Sequence, residues 1–204
     1  MSIRSAIIQD IEGMHAAGLA TMAYFYFDFQ DVKKQDRYGL LSSLTLQLSA
    51  ESDSCYNILF QLYSDSARGT RKPTIKALKK CLTDMLSLPG LGPLYILVDA
   101  LDECPNSSGT PSAREGVLEL IEELVHLKLW NVHLCVASRP EIDIRRVLEP
   151  LTSLQVSLHD EIGQKDDIIA YIKSVVRSDK RMRKWTEEDQ NLVIDTLSQK
   201  ADGM

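Results

Sequence analysis

Residues 94–103, LYILVDALDE, set three carboxylates, Asp99, Asp102 and Glu103, directly behind an apolar run. A carboxylate at the end of a buried strand stands on rigid backbone. Mg²⁺ suits that position, because it keeps most of its water and takes few protein ligands. If the chain turns after Ala100, a second acid can orient a water toward the terminal phosphate of a metal-bound nucleotide, and both Asp102 and Glu103 have the spacing for it. The small Ala100 leaves room for the phosphate end. The plain alternative is a solvated acidic loop. One Asp after an apolar run is common, but the full pattern of apolar run, Asp, small residue, apolar residue and Asp-Glu is much less so. A helicase-type site needs Asp-Glu straight after the strand, and here Ala100 and Leu101 intervene.

A second marker lies in LCVASRPEID, residues 134–143, where Arg139 follows an apolar run. An Arg just past a strand end, beside the acidic strand, can contact a terminal phosphate and report its loss. Alone, it reads better as a surface Arg ahead of a helix begun by Pro140. Its spacing from the acids favours the phosphate sensor. Arg145 and Arg146 read as a solvated helix face.

These residues need strands behind them, and four stretches have that pattern: 21–29, 94–98, 132–138 and the weaker, alternating 154–158. Continuous apolar runs indicate strands buried on both faces, as in a parallel sheet covered by helices. Amphipathic stripes lie between and around them. They run through residues 2–17 and 38–50, then Ile75 to Met85, Val117 to Val125, Ile168 to Val176 and Leu192 to Leu197. Alternating strands and helices predict an α/β fold. Gly- and Pro-bearing breaks at 88–93 and 104–113 bracket the acidic strand.

The totals narrow the classes. The chain has 204 residues and a formal net charge of −6, so no broad basic field serves nucleic acid or an anionic membrane. The basic run from Lys173 to Lys184 reads as a solvated helix end. Four scattered cysteines, without CxxC or HExxH, argue against a metal–thiolate site or a disulfide framework and fit a reducing, cytoplasmic setting. No apolar run is long enough for a membrane span. No nucleophile-elbow motif supports a hydrolase triad.

In combination the motifs resemble a known family. LYILVDALDECP is similar to the Walker B segment of NACHT-type NTPases, and LCVASRPEIDIRRVLEPL resembles their sensor-1 strand. AYFYFDFQDVKKQDRYGLLSSLTLQL resembles the second strand and helix of the nephrocystin-3-like N-terminal branch, found in fungal NLR-like proteins. The resemblance implies a three-layer, P-loop NTPase-like parallel sheet flanked by helices, with residues 1–160 as its core and 161–204 as the start of a helical extension. It implies a signalling switch gated by ATP or GTP with Mg²⁺. Asp99 then takes the metal role through water, Asp102 or Glu103 the water-activating role, and Arg139 the sensor role.

One part of that pattern is missing. The family's phosphate loop, GxxxxGK followed by Ser or Thr, cradles phosphates on backbone N–H groups and a Lys. In GMHAAGLAT, residues 13–21, the glycine gap is right, but Leu19 and Ala20 stand where Lys and Ser/Thr belong, and the segment leads into a strand. By resemblance, residues 2–18 are the helix that follows the loop. The expectation is a domain truncated before its phosphate loop and first strand, binding little nucleotide alone. Strands 94–98 and 132–138 then face a gap, pair with each other, or recruit another chain. The competing expectation is a non-catalytic piece that docks on protein partners, or on itself, through an open sheet edge.

Overall fold

The computed structural model describes residues 3–106, 112–156 and 162–200. The chain divides into two compact units, one of residues 7–153 and one of residues 1–6 with 154–204. The larger unit is α/β. Among the described residues its sheet has three parallel strands, β1 (Thr21–Tyr26), β2 (Leu94–Asp99) and β3 (Val132–Val136), in the order β1-β2-β3. Helices α1 (Ile3–Ala16), α2 (Arg37–Ser49), α3 (Asp53–Asp65), α4 (Ile75–Leu86), α5 (Ala113–His126) and α6 (Ile142–Leu148) precede, connect or follow them, with α1 running across the division between the units. The smaller unit carries α7 (Ile162–Ser178) and α8 (Glu187–Lys200).

Strands 94–98 and 132–136 therefore pair with each other, Leu94 opposite Val132 through Val98 opposite Val136. The first and third sequence strands are shorter than expected: residues 27–29 and 137–138 have left the sheet. The fourth expected strand is not formed over 154–156, and residues 157–158 lie outside the described residues. Leu154 is 79% exposed, so this stretch has no buried face to hold it in a sheet.

Alternation sorts the sheet into two faces. Ala23 and Phe25, Leu94, Ile96 and Val98, and Val132, Leu134 and Val136 meet the stripes of α2, α4 and α5 in one core. The other face carries Tyr24, Tyr26, Tyr95, Leu97, His133 and Cys135, with Tyr95 stacked on His133 at 4.9 Å. Of these, Tyr24, Tyr26, His133 and Cys135 are exposed, whereas Leu97 is buried.

Three helices of the core, α2, α4 and α5, have starts written in the sequence as side-chain caps. Asp36 caps α2 by accepting the Gly39 N–H at 2.8 Å, and Leu40, Leu41, Leu44 and Leu48 bury at helical spacing. Thr74 caps α4 ahead of Leu78, Leu82 and Met85. Ser112 and Glu115 form a reciprocal capping box on α5. At the lower end of the sheet, the Leu94 N–H donates to the Asn131 carbonyl at 2.8 Å and the Thr21 N–H to the Pro93 carbonyl at 2.9 Å. The 88–93 break thus aligns the strand starts, and their carboxyl ends emerge together at the acidic turn.

Candidate functional site

Asp99 is the last residue of β2 and is buried. Its Oδ1 accepts the Ala100 N–H at 2.7 Å. Ala100 lies in the left-handed region, φ 52° and ψ 42°. An Ala there costs about 1–2 kcal/mol, strain of the kind that gathers where a site needs a particular turn. The turn folds Leu101–Glu103 into one 3₁₀ turn, and Leu101 plugs fully into the core. The Leu101 N–H reaches the Ala137 carbonyl at 3.2 Å, and the Ala137 N–H reaches the Val98 carbonyl at 2.8 Å. The acidic turn is thereby sewn to the exit of β3.

That stitching brings two of the sequence-selected residues together. Asp102 Oδ1 accepts the Arg139 N–H at 3.0 Å, and its Oδ2 lies 3.4 Å from Arg139 Nε. The carboxylate is sheltered, 13% exposed, while the Arg139 side chain is 83% exposed. Its backbone is anchored and its guanidinium lies in solvent. Glu103 turns the other way, toward the loop after β1, where its Oε2 accepts the Phe29 N–H at 3.3 Å. The two acids left as alternatives thus face different walls, Asp102 the exit of β3 and Glu103 the β1 loop. The Phe27 N–H also donates to the Asp99 carbonyl at 3.0 Å.

Three further residues, Arg114, Asp143 and Cys104, support the turn without having been selected from the sequence. Arg114, in the first turn of α5, is 8% exposed. Its Nη2 donates to the Asp102 carbonyl at 2.6 Å and its Nε to the Cys104 carbonyl at 2.9 Å. Its Nη1 pairs with Asp143 of α6 at 3.3 Å. Cys104 is fully buried, and its thiol donates to the Gln35 carbonyl at 3.1 Å. Burial pushes that thiol up to about 12, with Arg114 pulling down and Asp36 pushing up as smaller influences. It is a structural thiol rather than a nucleophile. The available signal for Arg114 was its position: a cation in the first turn opposes the helix dipole and needs partners elsewhere.

Among the described residues, no group of three or more His, Cys, Asp or Glu side chains is placed to hold a metal ion. A cleft of about 240 Å³, lined by His15, Leu19, Thr21, Glu51 and Gly92 among others, lies at the opposite pole, where the strands begin. No helix among the described residues is long and apolar enough to cross a membrane.

A parallel sheet between helices, with an acidic turn at the end of its central strand and an Arg just past the end of the next, places the chain among the parallel α/β proteins. Within that class, the family model for the nephrocystin 3 N-terminal region matches residues 2–139, more than half of the chain. The chain belongs to the nephrocystin 3 N-terminal family. Neither the curated proteins nor the solved structures contain a significant match.

Proposed function

We propose that this chain carries the carboxylate and sensor half of a NACHT-type nucleotide switch. The observation that supports this most is the Asp102–Arg139 pair, formed between the exits of neighbouring strands beside Asp99. Asp99 would hold Mg²⁺ through the ion's waters, and Mg²⁺ with ATP or GTP would supply charge neutralisation at the phosphates. Arg139 exchanges partners. Its solvent-facing guanidinium leaves Asp102 for the terminal phosphate, which accepts the planar fork better than a single carboxylate oxygen at 3.4 Å. Asp102 Oδ2 is then released to accept a hydrogen from water, and Glu103 keeps the β1 loop in place. Loss of the phosphate returns Arg139 to Asp102. The pair is the switch's off-contact, and its exposure keeps the exchange cheap.

The test is a titration of the ¹⁵N-labelled chain with Mg-ATP and Mg-GTP, read by amide chemical shifts. Shifts at Ala100–Glu103 and Ser138–Arg139 that require Mg²⁺ and vanish in Asp99→Asn are expected, even at weak affinity. Shifts confined elsewhere, or independent of Mg²⁺, overturn the reading.

A second reading has its own observation. Strand β3 is an edge of the sheet among the described residues, beside a face with exposed Tyr24, Tyr26 and His133. Such an edge can pair with a second copy. Light scattering over a concentration series distinguishes it: a monomer at every concentration removes this reading.

A further inference from the structure

We propose that Arg114 is the positioning residue of the acidic turn, setting where Asp102 and Glu103 point and how Asp102 meets Arg139. The proposal rests on the nucleotide reading above and assigns Arg114 a part in it. Arg114 touches none of the reacting groups. It grips the backbone on either side of Glu103, through the Asp102 carbonyl at 2.6 Å and the Cys104 carbonyl at 2.9 Å. Its remaining arm holds both oxygens of Asp143 at 3.3 and 3.4 Å, and Asn106 Nδ2 steadies the same carboxylate at 3.1 Å. Asp143 lies in the first turn of α6, four residues beyond Arg139. One guanidinium therefore fixes both the turn that carries the acids and the helix that follows the sensor Arg.

Three physical points favour positioning over mere filling. First, the site is electrostatically wrong for a cation unless its partners require it: Arg114 sits at the positive end of α5, and burial removes its water. Second, two of its partners are the carbonyls of Asp102 and Cys104, in and just after a single 3₁₀ turn that begins at left-handed Ala100. Third, the fork matters. Nε, Nη1 and Nη2 each reach a different residue, an arrangement a Lys ammonium cannot reproduce.

The experiment measures amide hydrogen exchange in the whole chain and in Arg114→Lys, with Asp143→Asn as a second variant should the first fail to fold. The reporters are the Arg139 N–H, bonded to Asp102, and the Phe29 N–H, bonded to Glu103. Their protection should fall about tenfold, as loss of a charge-assisted hydrogen bond predicts, while protection at Ile96 and Leu82 in the core stays as it was. Unchanged reporters, or an equal fall everywhere, overturn the proposal; the latter marks a purely structural residue. No nucleotide is present, so the result stands apart from the Mg-nucleotide titration. If that titration succeeds in the native chain, Arg114→Lys should abolish its shifts at Asp102 and Glu103.

Discussion

Replacing Gly39 by Ala in a helix should by propensity stabilise the chain by about 1 kcal/mol. Here the sign reverses. A Cβ on Gly39 stands 2.0 Å from the Lys33 carbonyl oxygen and 3.1 Å from its carbon, and this neighbour is backbone that cannot rotate away. Either the 33–36 segment or the first turn of α2 must move by more than an ångström. Overpacking of this kind costs about 1–3 kcal/mol. Movement also strains the Asp36 cap on the Gly39 N–H, which contributes about 1 kcal/mol. Subtracting the propensity gain leaves a net loss of about 1–3 kcal/mol. The effect reaches the site, because Cys104 is tied to the Gln35 carbonyl and Glu103 to the Phe29 N–H. Equilibrium urea unfolding of Gly39→Ala beside Gly13→Ala measures it. Gly13 lies in α1 with nothing within 4 Å of its would-be Cβ, so its substitution should be neutral or stabilising. Gly39→Ala as stable as the parent chain would refute the reasoning.

Two contrasts follow from burial. Leu82→Ala, at a fully buried position, should lose about 2–5 kcal/mol in the same urea assay, whereas Arg139→Gln should lose less than about 1 kcal/mol, since its side chain is solvated; a large loss at Arg139 would make the pair structural. Burial raises the Cys104 thiol to about 12, and raises Cys81 to about 11 with a smaller push from Asp84. A folded value above the ordinary 9.0 means the folded chain holds the proton longer. This contribution to stability is whole below pH 9 and is lost as pH climbs from 9 toward 11–12. Urea midpoints should be nearly level between pH 7 and 9 and lower at pH 10.5, and a flat profile contradicts the burial.

What the sequence made legible was whatever burial writes as a pattern. The run LYILV had to be a central strand, and the leucines at 40, 41, 44 and 48 had to face a core. Asp99, Asp102 and Arg139 could be selected because their spacing follows strand ends. Helix α3 escaped notice because its largest side chains, Tyr56, Phe60 and Tyr63, lie on its solvent side, and only Cys55 is buried. The left-handed Ala100 was equally hidden, since Ala is no signal for that conformation. Arg114 was hidden for another reason. Two of its partners are backbone carbonyls, which every residue has, so no residue type records the contact.

The meeting of Asp102 and Arg139 depends on residues with no chemistry of their own. The β2–β3 register sets Ile96 opposite Leu134 and Val98 opposite Val136, all on the core side. A slip of one residue would turn His133 and Cys135 into the core and expose Leu134 and Val136, so burial forbids it. It would also carry Arg139 about 3.3 Å along the strand, beyond hydrogen-bond reach of Asp102. Apolar side chains therefore set the geometry of the charged pair, and the Leu101 N–H to Ala137 contact extends that register into the turn. An apolar-to-polar change at Leu134 or Val136 should thus disturb the Arg139 N–H before it unfolds the sheet, as amide hydrogen exchange would read, because on the edge strand only these side chains and Val132 face the core.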